Sequence, residues 1–408
     1  MPGASRWRIL GSPSQRLFLS MKTATRLAHA GRRPAAHHGM VNTPVYHAST
    51  VLFESLADFD ASERDPFTGV HYGRLGTPTQ FSFEAAVADL EGAHGCVSTC
   101  SGLAAIAIAI LSVARAGAHI LVADNVYGPT RKFCDGLLAR YGVTAEYFDP
   151  LIEADALAQY ITPRTCAVFV EAPGSLTFEI ADVPGLAATA HARGLTVIAD
   201  NTWGTPIYFD SLAHGVDLSV HAATKYIVGH SDAMLGTISA VDETRYQGIR
   251  RTAIALGYCA GPDDVYLGAR GLRTLGQRLP VHEANGLALA NWLAEQPGVA
   301  QVIHPARADH PQHERWLRDF SGACGLFAVE LAPIDRTRLA QMIDGLAFYG
   351  LGASWGGYES LVLPVDPSHS RSAVAWQADG PLLRIHAGLE HIDDLVDDMA
   401  AGLARAGL

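Results

Sequence analysis

A lysine stands directly after a short apolar run in residues 217–232, DLSVHAATKYIVGHSD. Lys225 follows Thr224 and precedes a Gly-His-Ser turn. An amine held there, partly away from water, would have a lowered pKa and so a larger free-base fraction, the form that attacks a carbonyl. That is what a Schiff-base lysine needs; a surface lysine at a helix start is the plainer reading of the same residues. Thr224 could offer its hydroxyl to a phosphate. Asp200 closes residues 196–200 (TVIAD), 25 positions before Lys225. A carboxylate after a strand can cap a helix. It can also face the ring nitrogen of a pyridoxal cofactor and keep that ring protonated, so that it withdraws electrons from a carbanion. Residues 99–103 (TCSGL) open a long apolar segment. Small residues at a helix start leave N–H groups free at a positive dipole end, which suits a phosphate.

These residues need elements to hold them. Near-continuous apolar runs at 119–124 (HILVAD), 143–148, 166–170 (CAVFV), 196–200 and 217–221 predict buried strands. Helical segments at 103–113, 130–141 and 184–193 separate most of them, so an α/β fold with a mostly parallel sheet covered on both faces is expected. Phe83, Val87 and Leu90 mark one more helix, closed by Gly92. Polar residues cluster just after the strands: Asn125-Val126-Tyr127, Glu171, Asp200-Asn201-Thr202 and Thr224-Lys225. In open α/β sheets ligands lie outside the carboxyl ends of strands, so four strand ends point at one site. Beyond residue 272 the pattern becomes helices (281–296, 391–406) with strands at 325–331 and 382–386, a smaller α+β unit.

Composition narrows the function classes. The chain has 408 residues, 41 acidic and 30 basic, with a formal charge of −11; 49% are hydrophobic and 17% charged. That excludes a disordered chain and argues against nucleic acid as the main partner. So low a charge fraction hints at a large subunit interface. No apolar run reaches the 18 or so residues that would span a membrane. Cys96, Cys100, Cys134, Cys166, Cys259 and Cys324 form no C-x-x-C pair and read as free thiols of a cytoplasmic protein. His304, His310 and His313 lie among prolines and read as loop residues, so no metal site is expected. Residues 1–20 lack a sustained apolar core and a clear cleavage site; a disordered extension or an upstream start is expected there rather than a signal peptide.

The lysine segment resembles the pyridoxal-phosphate attachment site of the Cys/Met-metabolism, or transsulfuration, enzymes. The resemblance runs in order through His71-Tyr72-Gly73-Arg74, Asn125-Val126-Tyr127, Asp200-Asn201-Thr202-Trp203, Gly271-Leu272-Arg273-Thr274, residues 354–360 (SWGGYES) and Leu383-Arg384-Ile385-His386. It covers roughly residues 22–406. It implies a fold-type I pyridoxal-phosphate-dependent transferase-like large domain at 79–272, a C-terminal α+β domain at 273–408, and an arm at 21–78 that reaches the neighbouring subunit's site. It implies pyridoxal 5′-phosphate as cofactor and a homotetramer, a dimer of dimers with shared sites. Lys225 would carry the cofactor and move the α-proton, and Asp200 would pair with the ring nitrogen. Tyr127 would stack on the ring and help deprotonate the incoming amine. Gly102, Leu103 and Thr224 would bind the phosphate, and Tyr72 and Arg74 would reach it from the other subunit. Arg384 would clamp the substrate carboxylate beside Ser354 and Trp355, with Tyr72 also at the substrate.

Three residues lean towards β-elimination by the same resemblance: Trp355 in the Ser-Trp pair, Ala222 three before Lys225, and Ser175 after Pro173-Gly174. Relatives that act at the γ-carbon usually carry Leu, Ser and Asn there. The implied reaction is cleavage of L-cystathionine to homocysteine, pyruvate and ammonia, as in the bacterial β-lyases. The alternatives are a broad cysteine-S-conjugate or cystine lyase, a γ-acting relative, an amino-acid racemase, and a cofactor-binding regulator without turnover.

Overall fold

The computed structural model describes residues 21–64, 67 and 69–408. The extension expected over residues 1–20 lies outside the described residues. Helix α1 (Pro78–Glu91) leads into β1 (Gly95–Thr99), α2 (Gly102–Val113), β2 (His119–Ala123), β3 (Thr144–Phe148) and β4 (Thr165–Glu171). Then come α3 (Val183–His191), β5 (Thr196–Asp200), β6 (Leu218–His221), β7 (Gly236–Ala240) and α4 (Glu243–Leu256). These seven strands form one sheet in the order β1-β7-β6-β5-β4-β2-β3. Only β7 runs against its neighbours. β1, β2, β6 and β7 are buried at every residue. Successive side chains point to opposite faces, so both faces of the sheet are covered.

The chain continues through α5 (Pro262–Ala294), β8 (Val299–Ile303), β9 (Leu326–Leu331), α6 (Arg336–Asp344), β10 (Tyr349–Leu351), β11 (Ser360–Val365), β12 (Leu382–His386) and α7 (Ile392–Ala406). Its five strands make a second sheet in the order β10-β11-β12-β9-β8. A second hydrophobic cluster, including Phe327, Val329, Met342, Leu383, Ile385 and Met399, lies with it.

Local chemistry accounts for the ends of the elements. Thr77 and Gln80 form a capping box at the start of α1, and Gly92 closes that helix in the left-handed region at φ 64°. Ser101 caps α2 by accepting the N–H of Ala104 at 3.1 Å. The strands at β1, β7, β8, β10 and β11 are additions to the sequence reading. The expected helix at 281–296 is the second half of α5, a single helix of 33 residues with Pro280 inside it. Pro280 is exposed, so solvent can satisfy the carbonyl its ring leaves unbonded. The helix runs through the position at which the sequence reading divides the two regions.

One buried carboxylate ties the two sheets' regions together. Asp124, at the end of β2, accepts the backbone N–H groups of Ser372, Ala373 and Val374 at 2.9–3.0 Å. It also pairs with Arg131 and Arg371. Removing it leaves three amides without their acceptor and takes the carboxylate from Arg131, while Arg371 keeps its pair with Glu179. Asp124→Ala should therefore cost about 3–5 kcal/mol of stability. A urea midpoint unchanged from that of the parent protein would contradict this.

Candidate functional site

Strands β2, β4, β5 and β6 lie side by side in the sheet, and the residues at their carboxyl ends meet. Lys225 follows β6. Its Nζ donates to Ser354 Oγ at 2.6 Å and lies 5.5 Å from the centre of the Trp355 ring. Burial, reinforced by the Arg384 guanidinium and opposed by Asp200, lowers the Lys225 pKa to about 8. The ammonium is thus poised to lose its proton near neutrality. The amine-labelling rate of Lys225 in the apoprotein should rise about tenfold per pH unit up to about 8 and then level off. A rise that continues unbroken past pH 10 would contradict this.

The loop carrying Lys225 is pinned from below by α5. Arg278 donates from Nη2 to Tyr226 O at 2.8 Å and to Gly271 O at 2.9 Å. Gly229, at φ 71°, lies so close that a Cβ would sit 2.0 Å from an Arg278 nitrogen.

Asp200 is buried, and burial raises its pKa against the opposing pull of Thr202, His221 and Lys225. Thr202 donates from both its N–H (3.0 Å) and its hydroxyl (2.5 Å) to Oδ1. Oδ2 is left for a donor from the site. The Thr202 hydroxyl in turn accepts the Ala222 N–H at 2.9 Å, so Asp200 and the Lys225 loop share one support. Tyr127 follows β2 and is 45% exposed. Its N–H donates to Glu171 Oε2 at 2.7 Å. Burial, with Glu171 and Asp200 nearby, raises the phenol's pKa.

Gly102 and Leu103 form the first turn of α2, where a helix leaves its N–H groups without intrahelical acceptors. A Cβ on Gly102 would lie 2.5 Å from Ala222 Cβ, so only glycine lets the helix start come this close to the lysine loop. Arg384 on β12 donates to Ser354 O at 2.8 Å; burial lowers its pKa. Ser354 has a left-handed backbone, φ 77°, a strained conformation for a side chain of this kind.

Lys225, Asp200, Tyr127, Ser354, Trp355, Arg384 and the Gly102–Leu103 turn are thus placed on one group of strand ends and loops. Thr224 is next to them, but its hydroxyl donates to Leu235 O at 3.0 Å and accepts the Leu235 N–H at 2.8 Å; a phosphate would have to compete for that proton. Tyr72 and Arg74 are outside the hydrogen-bonded set around Lys225. Arg74 donates to Ile254 O at 3.1 Å, and Tyr72 is 43% exposed. His304 and His310 each accept a local backbone N–H through Nδ1, from Ala306 and Gln312.

Sequence reasoning did not assign roles to Glu171, Thr202, Asp124 or Arg278. The first two carried a signal, since both are polar residues at strand ends. The other two act on backbone atoms that only folding brings to them.

The family described as Cys/Met metabolism PLP-dependent enzyme matches residues 24–404. The chain belongs to that family. Its members depend on pyridoxal phosphate, and the residues present fit that group: one desolvated amine, a buried carboxylate with an oxygen to spare, and a helix start that tolerates no Cβ. The chain is 42% identical over 393 residues to the cystathionine beta-lyase MetC of Escherichia coli K12, covering 94% of this chain and 98% of that one. It is 37% identical over 400 residues to an L-alanine/L-glutamate racemase of Wolbachia pipientis wMel, covering 94% and 98%. Among solved structures, cystathionine gamma-lyase of Lactobacillus plantarum complexed with L-serine superposes with a TM-score of 0.87 at 29% identity, covering 95% of this chain and all of that one. The enzyme is therefore a fold-type I pyridoxal-phosphate protein. Among the described residues no helix is long and apolar enough to cross a membrane.

Proposed function

We propose that the protein is a carbon–sulfur β-lyase that cleaves L-cystathionine to homocysteine, pyruvate and ammonia. The observation that carries this is the setting of Lys225: a lowered pKa, Ser354 Oγ at 2.6 Å and the Trp355 ring above it. The 42% identity to a bacterial cystathionine β-lyase supports the same reading.

When bound, pyridoxal phosphate supplies an electron sink for the pair released at the substrate α-carbon. The residues do the rest. Arg384, whose guanidinium already holds Ser354 O, would bind the substrate carboxylate through its remaining N–H groups. Tyr127 would take a proton from the incoming amine through the minor phenolate fraction that its raised pKa leaves. Lys225 Nζ, as a free base, would take the α-proton and deliver a proton to the leaving sulfur, with Tyr127 as the other donor in reach. Asp200, ionised opposite the ring nitrogen, would stabilise the charge that develops. Gly102 and Leu103 N–H groups would hold the phosphate, with Thr224 beside them.

Tyr72 and Arg74 would complete the site from a second subunit, in a homotetramer of two such dimers. Both stand apart from the Lys225 group within one chain, and the arm carrying them exposes Leu52, Leu56 and Phe59. A cytoplasmic setting suits six cysteines that are all free.

Incubation with L-cystathionine tests the reaction. Equal amounts of pyruvate and homocysteine are expected. Production of 2-oxobutyrate and cysteine would assign γ-elimination instead, and racemised alanine without keto acid would favour the racemase reading.

A further inference from the structure

His386 closes strand β12, two residues after Arg384, and is 1% exposed. Its two ring nitrogens have opposite duties. Nε2 accepts the Gly356 N–H at 3.2 Å. Nδ1 faces Glu359 O at 3.0 Å, and a carbonyl only accepts, so Nδ1 carries the proton. The imidazole is therefore neutral, in one tautomer, and fixed at both ends. Together with the Arg384 bond to Ser354 O at 2.8 Å, β12 grips the segment from Ser354 to Glu359 at three backbone atoms.

That segment is the one that touches the lysine. Ser354 Oγ meets Nζ, and the Trp355 ring lies over it. Gly356, at φ 84°, is seated so tightly on the chain that a Cβ would lie 3.1 Å from Lys225 Cα. Ser354 holds a left-handed conformation that a free loop would relax, so something must over-determine it. Packing alone is a poor candidate for that. The rings around His386 (His282 at 5.2 Å, Tyr226 at 5.8 Å) pack near the imidazole, and their polar atoms bond elsewhere, His282 Nδ1 to Ala387 O and the Tyr226 hydroxyl to the Gly325 N–H.

We propose that His386 is a positioning residue for Lys225: by accepting the Gly356 N–H it fixes the turn that sets Ser354 Oγ and the Trp355 ring against Nζ. The kinetic arm of its test rests on the lyase reading; the spectroscopic arm does not.

Two substitutions separate the two ends of the ring. In His386→Gln the amide oxygen can stand near the place of Nε2 and keep the Gly356 acceptor. In His386→Asn the amide nitrogen can replace the Nδ1 donor, but the Gly356 N–H is left without its partner. For the holoenzyme of the Asn variant, kcat with L-cystathionine should fall about 10- to 100-fold while KM stays within about threefold, as expected when a reacting group is misplaced. The visible circular dichroism of the bound cofactor should change with it. The Gln variant should stay within about threefold of the parent in kcat and keep the parent's visible spectrum.

Ser354→Ala supplies the second measurement. Its visible dichroism should match that of His386→Asn, and the double variant should be no worse than the more impaired single one. Equal behaviour of the Gln and Asn variants, an effect confined to KM, or fully additive effects with Ser354→Ala would each overturn the proposal. If the Asn variant fails to fold, the Gln variant decides: a lost parental spectrum in folded Gln protein overturns the proposal, and a retained one upholds it. If no variant or parent releases pyruvate, the lyase reading fails while the dichroism comparison still decides the role of His386.

Discussion

Replacing Lys225 by alanine should lower pyruvate release from L-cystathionine by at least about 10³-fold, because on the proposed mechanism one side chain would carry the cofactor and both proton transfers. The geometry leaves no substitute. Tyr127 is the other titratable group at the site with a proton to exchange, and its pKa is raised, not lowered. At neutral pH a phenol in that setting is a weak base. The lysine, with a pKa near 8, has a substantial free-base fraction. The substitution also removes the donor to Ser354 Oγ, so alanine leaves an unpaired hydroxyl but no buried charge; the protein should still fold. The check is a steady-state pyruvate assay on variant protein with a parental far-ultraviolet spectrum. Near-normal turnover would overturn the assignment of the chemistry to Lys225.

Asp200→Asn should lower kcat by about 10²–10³-fold with little change in KM. The amide is nearly isosteric, and its oxygen can keep both Thr202 bonds, so the fold is preserved and only the charge is lost. The cofactor would serve as an electron sink only once substrate has bound, and a carboxylate beside it would help most then, which is why kcat should bear the loss. The direction of the Asp200 pKa sharpens the point. Burial pushes it up, while Thr202, His221 and Lys225 oppose the rise. The side chain is a carboxylate under strain to protonate, and a protonated ring nitrogen facing it would relieve that strain. A variant with kcat within a few-fold of the parent would mean that Asp200 caps the chain and does no more.

Much of the site was legible because its residues sit at the ends of apolar strands. HILVAD, CAVFV and TVIAD announce themselves by composition, and polar residues follow each run: Asp124 anchors the 372–374 backbone, Glu171 holds the Tyr127 N–H, and Asp200 lies beside the Lys225 loop. Asp200 and Lys225 could be paired on those grounds before any family was considered, although the residue types alone left helix-cap and surface readings open. β1 (GCVST) and β7 (GTISA) were harder. Their small and hydroxylated residues carry no apolar run; burial by neighbouring helices, not propensity, makes them strands. The expected helix at 281–296 is only the second half of α5, which continues through Pro280 because that residue lies on an exposed face. The parts that hold the site in place were not legible at all. Asp124 and Arg278 bind backbone amides and carbonyls up to 250 residues away. The double duty of His386 depends on a turn some 30 positions earlier. No local pattern encodes such partners.

The central claim, that Lys225 is the cofactor's lysine, can be tested with unusual economy. The chain contains three lysines, Lys22, Lys132 and Lys225, and the first two are exposed. Reduction of the pyridoxal-phosphate-loaded protein with borohydride, followed by proteolysis and mass spectrometry, fixes the adduct to one of them. A phosphopyridoxyl mass on the Lys225 peptide, with Lys22 and Lys132 unmodified, is the predicted result. The same mass on Lys132 or Lys22, or on none of the three, would contradict the account.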